Sequence, residues 1–439
     1  MGINRITRHD KKKHKFPVLG HSSRPHPLRL FPSIIIHVYY VSLLAQLRYK
    51  KLTVDLKRIA LDRFLAQCSK YYARNMKKLN FKIFAHKTYA PILELTNSKD
   101  TDLPYPLSYE YFNTAPIGMP RTGMLNMYAL GVHLREVYDE YLGDVYTCET
   151  MKMQTAEYPL SMLSGQLVNA GLWPPAKIQQ WSVDLNWQPI PTDYTLARED
   201  TLLLGAQCPS FILEMEKVLN MVQVRERLTH YSSLFDHISR STGIKVQRPS
   251  EVALLYAVLE TKADLNQSLP HWAEDIFPDG GMYNVSLLEY DLLWETPLQK
   301  QLNGGTILKE ILANVLMYID GQIPKERKLM IYSGNERNIV GVLKGLNLWS
   351  PHIPNEAASV IFEMYFDNET ESYGVKINYY TGVDGITIPL KMPNCTEICP
   401  IKTFLYSILD MLPQNAERLC NWRKINLSDK PHNHLLTGQ

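Results

Sequence analysis

An α/β architecture is encoded in this chain by three features of its texture. Strand-like apolar runs stand near both ends of the sequence, at 79–85 and again at 328–333, 359–366 and 373–380. Amphipathic helical patterns flank them. Between them, 176–320 is mostly helical in spacing, broken by Pro- and Gly-rich loops near 189–192 and 278–281. Strands flanked by such helices read as one α/β domain, with a smaller, mostly helical domain inserted between its halves. No repeat at a fixed period of a few tens of residues is present, which argues against a solenoid or propeller.

The elements follow in order. Residues 1–76 form a basic N-terminal extension, with Arg5, Arg8, Lys11, Lys12, Lys13 and Lys15 ahead of an apolar run at 30–47. That order resembles a secretory signal or signal-anchor. Pro32, Ser33, His37 and Gln46 interrupt the run, which is shorter than the roughly 20 residues of a spanning helix, so a plain flexible extension is the other reading. Helix-like spacing at 52–77 predicts an amphipathic lead-in helix. The first half of the α/β domain, 77–175, holds the strand ending at Ala85, a turn at Pro104-Tyr105-Pro106 and a helix at 123–142. A second strand at 145–154 and a helix at 160–170 complete it, the helix stopped by Gly171-Leu172-Trp173-Pro174-Pro175. The insert covers 176–325. The second half, 326–426, carries the strand at 328–333 and two alternating runs around a polar turn, a β-hairpin pattern. Residues 427–439 are a tail.

Hydrophobic content of 45% and charged content of 21% are those of a globular protein. A net charge of +3 over 439 residues does not call for a nucleic-acid partner. Glycosylation acceptor patterns stand at Asn266, Asn284, Asn368, Asn394 and Asn426. With six cysteines, they tilt the expectation toward an oxidising, secreted or lumenal setting, lysosomal or extracellular. Cys395 and Cys399 flank a tight loop that a short disulfide can close.

The most informative stretch is Phe84-Ala85-His86-Lys87-Thr88-Tyr89-Ala90-Pro91. A lone His after a buried strand is more often structural than catalytic, but other landmarks accompany it in order. They are Tyr128-Ala-Leu-Gly-Val-His-Leu-Arg-Glu-Val-Tyr138, Ala170-Gly-Leu-Trp-Pro-Pro175, Leu185-Asn-Trp-Gln-Pro-Ile-Pro191, Cys208-Pro209 and Tyr332-Ser-Gly-Asn-Glu-Arg-Asn338. Together, over about residues 79–425, they resemble the histidine acid phosphatases (branch 2), and look closest to the insect venom and testicular acid phosphatases. The resemblance implies a histidine phosphatase fold: a mixed central sheet flanked by helices, with the helical insert over the strand ends. It implies no metal or other cofactor.

Members of that family hydrolyse phosphomonoesters through a phosphohistidine, splitting one hard displacement into two easier ones. Arginines hold the phosphoryl oxygens, a task suited to a planar, permanently charged fork. A late His followed by an acid protonates the leaving group. Carried onto this sequence, His86 keeps the nucleophile position, but the family's Arg-His-Gly-x-Arg-x-Pro has lost both arginines, at Ala85 and Tyr89. The third arginine falls on Gln154, and the late His-acid pair falls on Asn335-Glu336. Lys87 and Arg337 are the cations that can compensate.

Three guanidiniums and an imidazole are therefore missing. Each positioned charge is commonly worth about 10²–10³ in rate, and an acid catalyst about 10²–10⁴. The expectation is a catalytically impaired pseudophosphatase that keeps a pocket for a small phosphorylated or polar ligand. A weak or altered phosphomonoesterase working through His86, Glu336 and Lys87 is the alternative. The resemblance also implies disulfides Cys208–Cys420 and Cys395–Cys399 and a homodimer; from the N-terminal pattern, membrane contact is expected only through that segment. Cys68 and Cys148 read as buried free thiols.

Overall fold

Among the described residues eight strands form one sheet, and its order is what brings distant segments of the chain together. The computed structural model describes residues 119, 121–368, 370–382 and 385–422, with the backbone of 79–86. The basic extension, the lead-in helix, Cys68, Lys87, Tyr89 and Asn426 lie outside the described residues. The strands are β1 (Leu79–His86), β2 (Met151–Ala156), β3 (Asp193–Thr195), β4 (Leu329–Asn335), β5 (Ser359–Asp367), β6 (Ser372–Tyr380), β7 (Thr387–Leu390) and β8 (Cys399–Pro400). Their order is β3-β2-β4-β1-β5-β6-β7, with β8 paired to β6. β3, β2, β4 and β1 run parallel, while β5, β6 and β7 add antiparallel on the far side of β1.

Alternation along the strands divides the core into two layers. Met330 and Tyr332 of β4, with Val360 and Phe362 of β5, face α9 (Thr306–Ile319), α10 (Glu336–Gly345) and α11 (Ile401–Ile408). Leu329, Ile331 and Ile361 face the other way, onto α1 (Arg121–Leu142) and α2 (Pro159–Leu172). The α1–α2 pair is held close by two glycines. A Cβ on Gly131 would lie 2.2 Å from the Val168 carbonyl oxygen, and one on Gly171 would lie 2.3 Å from that of Tyr128. α3 (Pro209–Leu219), α4 (Val222–Thr229), α5 (Ser232–Thr242), α6 (Pro249–Asp264) and α7 (Gly281–Leu292) lie between β3 and β4. Several of these helices share a core of their own around Ile238, Val252, Leu259 and Val285. A short α8 (Pro297–Lys300) leads back to α9, and α12 (Ala416–Cys420) ends the described chain.

Both expected disulfides are present: Cys208–Cys420, bridging a sequence separation of 212 residues, and Cys395–Cys399. Two expectations are corrected. The second strand begins at Met151, not 145, because the Thr147 hydroxyl accepts from the Thr150 amide at 3.2 Å and closes a turn there. Cys148 sits in that turn and is an exposed free thiol, not a buried one. β3, β7 and β8 were not expected, since runs of two to four residues are too short to show a period. Asn266, Asn284, Asn368 and Asn394 are exposed. Among the described residues no helix is long and apolar enough to cross a membrane; the apolar run at 30–47 lies outside them.

Candidate functional site

Three parallel strands end together, the usual location of sites in α/β sheets. β1 and β4 pair so that Ala85 stands opposite Gly334 and His86 opposite Asn335. β2 pairs on the other side of β4, with Gln154 opposite Tyr332 and Thr155 opposite Ser333. His86 and Asn335 thus end adjacent strands at one level, followed directly by Glu336 and Arg337. Gln154 is three residues further back, about 10 Å along the strand. Its amide nitrogen lies 3.5 Å from the Thr195 hydroxyl, across to β3.

Asn335 does structural work. It is the N-cap of α10: its Oδ1 accepts from the Asn338 amide at 3.3 Å, while the Asn338 Oδ1 accepts from the Asn335 amide at 2.9 Å. This reciprocal box satisfies donors that the first turn of a helix leaves open. Asn338 is buried and also donates to the Leu203 carbonyl at 3.0 Å. The box needs Gly334, since a Cβ there would lie 2.2 Å from the Asn338 Oδ1.

Leu203 belongs to a loop organised by Asp200, whose Oδ1 accepts from the amides of Leu202 and Leu203 at 2.9 and 2.8 Å. Asp200 is fully buried, and among the described residues its Oδ2 has no hydrogen-bond partner. Burial pushes its carboxyl up to about 6 despite those amides. Beside it, Gln207 donates to the Tyr158 hydroxyl, and Glu157 accepts from the Ala197 amide at 2.5 Å.

Among the described residues, Arg337 has its ion-pair contact with its neighbour Glu336, at 4.0 Å. Its charge also acts on Tyr158, Glu289 and Tyr290. Burial raises the Glu289 carboxyl, opposed by Arg337 and Arg248. Burial likewise carries the Tyr290 phenol far above its ordinary range, helped by Glu336. The charges at the start of α10 thus act on two buried residues of α7, Glu289 and Tyr290. Among the described residues no group of three or more His, Cys, Asp or Glu is placed to hold a metal ion.

The structure thus brings Ala85, His86, Asn335, Glu336 and Arg337 into one neighbourhood and sets Gln154 back; Lys87 and Tyr89 are outside the described residues. Sequence reasoning missed Asp200 and Glu289. The available signals were an Asp opening the loop before Leu202-Leu203-Leu204, an Asx-turn pattern, and a lone acid in the apolar face of α7.

Residues 69–380 match the histidine phosphatase superfamily (branch 2). The chain is 33% identical over 353 residues to the venom acid phosphatase Acph-1 of Apis mellifera, covering 80% of this chain and 89% of that protein. It is 28% identical over 351 residues to the prostatic acid phosphatase of Rattus norvegicus, covering 78% and 89%. Among solved structures, the phytase of Klebsiella sp ASR1 superposes with a TM-score of 0.58 at 11% identity, over 78% of this chain and 98% of that one. The phytase of Citrobacter braakii gives 0.56 at 14% identity, over 79% and 99%. At such identities the structural likeness concerns the fold alone.

Proposed function

We propose, because this chain belongs to the histidine phosphatase superfamily (branch 2), that it is a catalytically impaired acid phosphatase-like protein whose pocket binds more than it turns over. The observation carrying this reading is the pairing of His86 with Asn335 at the strand ends. The residue at the acid-histidine position has no titrating group there, and its amide is engaged as a helix cap. Ala85, beside the nucleophile position, carries no charge, and Gln154 hydrogen-bonds sideways. A phosphoryl dianion at the strand ends would meet no guanidinium at 85 or 154, and a charge withdrawn from water without such a partner is unfavourable.

The second reading is a weak phosphomonoesterase. It is favoured by the retained His86 and by relatives named as acid phosphatases. In that case the His86 imidazole would displace the alcohol from phosphorus and water would then release phosphate, with Glu336 supplying the proton.

The deciding experiment is hydrolysis of an aryl phosphate by the full-length protein between pH 4 and 8, beside His86→Ala. We expect no difference between the two. Turnover that vanishes in the variant would overturn the reading.

The setting we propose is secreted or lumenal, on the support of the two disulfides and of relatives named as venom and lysosomal phosphatases. The partner we propose is a second copy of the chain. Ile178, Trp181, Val183, Leu185, Trp187 and Tyr194 are exposed on one segment. That segment leads into β3, the strand at the end of the sheet order. An open sheet edge beside an apolar patch is self-complementary about a two-fold axis. By typical side-chain areas the patch offers several hundred Å², close to the ~800 Å² per partner of a stable interface.

A further inference from the structure

We propose that the loop 346–358, between α10 and β5, is a pH-sensitive latch across the seam of the α/β domain and the helical insert, with His352 as its pin. The latch is closed at neutral pH and releases β6 on acidification. It goes beyond the binding reading above and does not depend on whether the pocket turns over a substrate.

The loop touches both sides of the seam. Trp349 packs against the sheet core that holds Tyr379 of β6, and also against the core formed by Phe211 of α3 and Tyr290 of α7. Ile353 packs against that second core and against the core of the insert around Ile238 and Val252. His352 lies between these contacts. Its ring stacks on Trp349 with centroids 4.7 Å apart and meets the Tyr379 ring at 5.3 Å, near edge-on. Trp349 in turn meets Tyr290 edge-on at 6.1 Å. A chain of aromatic rings therefore runs from β6 through the loop to α7.

Hydrogen bonds fix the protonation state of the imidazole. Its Nδ1 lies 2.7 Å from the Ser350 carbonyl oxygen, which can only accept, so Nδ1 carries the proton. Nε2 of the neutral ring then accepts from the Tyr379 hydroxyl, at 2.7 Å. A second proton, on Nε2, would face a hydroxyl whose own proton already points at it. The hydroxyl would have to turn and accept, and among the described residues it makes no other hydrogen bond to take up its proton. Tyr379 is only 7% exposed, so that donor would be left buried and unsatisfied, which is costly.

The remaining surroundings agree on the direction. Burial pulls the imidazole below its ordinary value of 6.5, the Ser350 carbonyl acts the other way, and no charged side chain contributes among the described residues. Burial raises the phenols of Tyr379 and Tyr290, so both stay neutral. Trp349 decides which contact is given up. Its indole face attracts a cation, so a protonated ring stays on Trp349 and parts from Tyr379. The closed latch is thus fully stable above 6.5 and loses stability as pH falls through the lowered value of the folded imidazole. Asp200, with its raised carboxyl, has the opposite sign, so loosening in acid does not come from it.

The test is hydrogen–deuterium exchange of the full-length protein at pH 7.4 and 5.0, read by mass spectrometry and corrected for the intrinsic pH dependence of exchange. Wild type, His352→Gln and Tyr379→Phe are compared, with circular dichroism to verify folding. In wild type the protection of 346–358 should fall by about fivefold or more at pH 5.0, the scale of one buried hydrogen bond lost, while that of α2 does not. His352→Gln, which keeps an acceptor for Tyr379 but cannot titrate, should hold the same protection at both pH values. Tyr379→Phe should loosen the loop already at pH 7.4 and shrink its response to acid. Equal protection of the wild-type loop at both pH values overturns the proposal. So does an undiminished fall in His352→Gln, or a fall shared equally by α2, which would be a loss of the whole fold.

Discussion

His86, the last residue of β1, stands in parallel register with Asn335, the last residue of β4, although 249 positions separate them in sequence. That pairing lets a change at one position bear on the chemistry of the other. It predicts that activity can be rebuilt. A variant carrying Ala85→Arg, Tyr89→Arg, Gln154→Arg and Asn335→His should hydrolyse an aryl phosphate at least about a hundredfold faster than wild type, the scale of one restored charge contact. Adding His86→Ala should abolish the gain. A rebuilt pocket that stays inert would show that the strand ends no longer converge on a phosphoryl group.

The junction of β4 and α10 should be sensitive to small changes. Asn335→Ala removes the cap and should cost about 1 kcal/mol in a urea titration. Gly334→Ala forces a methyl against the Asn338 Oδ1, 2.2 Å away, and should cost about 1–3 kcal/mol. If both variants match wild type, the capping box is not what holds this junction.

Asp200 should make stability depend on pH. Its folded-state carboxyl sits at about 6, above the ordinary value of 3.8. A raised carboxyl favours the folded state fully below the unfolded value and loses that advantage as pH rises through about 6. Above it, the buried charge costs up to about 3 kcal/mol. Asp200→Asn keeps an acceptor for the Leu202 and Leu203 amides without the charge. Its melting temperature should exceed that of wild type at pH 8 and match it at pH 3; an equal shift at both would assign the effect to packing.

The Cys208–Cys420 bridge ties the start of α3 to α12 across 212 residues. Replacing both cysteines with serine should cost about 5 kcal/mol in the chain-entropy picture, less any strain relieved. Denaturant unfolding of the double variant measures it, and a loss below about 1 kcal/mol would mean that packing alone holds the two ends.

Trp181 and Val183 are 60% and 91% exposed, which is costly for apolar side chains facing water in a monomer. Light scattering on the purified protein should give twice the chain mass, and Trp181→Glu with Val183→Glu should halve it. A monomeric wild type would sink the proposed dimer.

The sequence by itself determined the α/β class, the hairpin of β5 and β6 and the family, and the resemblance implied both disulfide pairs. Periodicity, turn residues and ordered landmarks are local properties that survive without coordinates. Ala85, Tyr89, Gln154 and Asn335 are legible as letters, and it is the resemblance that sets them at the family's arginine and histidine positions. Tertiary structure decided what the replacements do. Gln154 turns toward Thr195 of β3, and the box that caps α10 is anchored through Asn338 to the Leu203 carbonyl, because both outcomes depend on a partner far away in sequence. Burial was decided there too: Asp200 lies inside and Cys148 outside, since a loop residue's exposure is set by what packs over it and not by its own type.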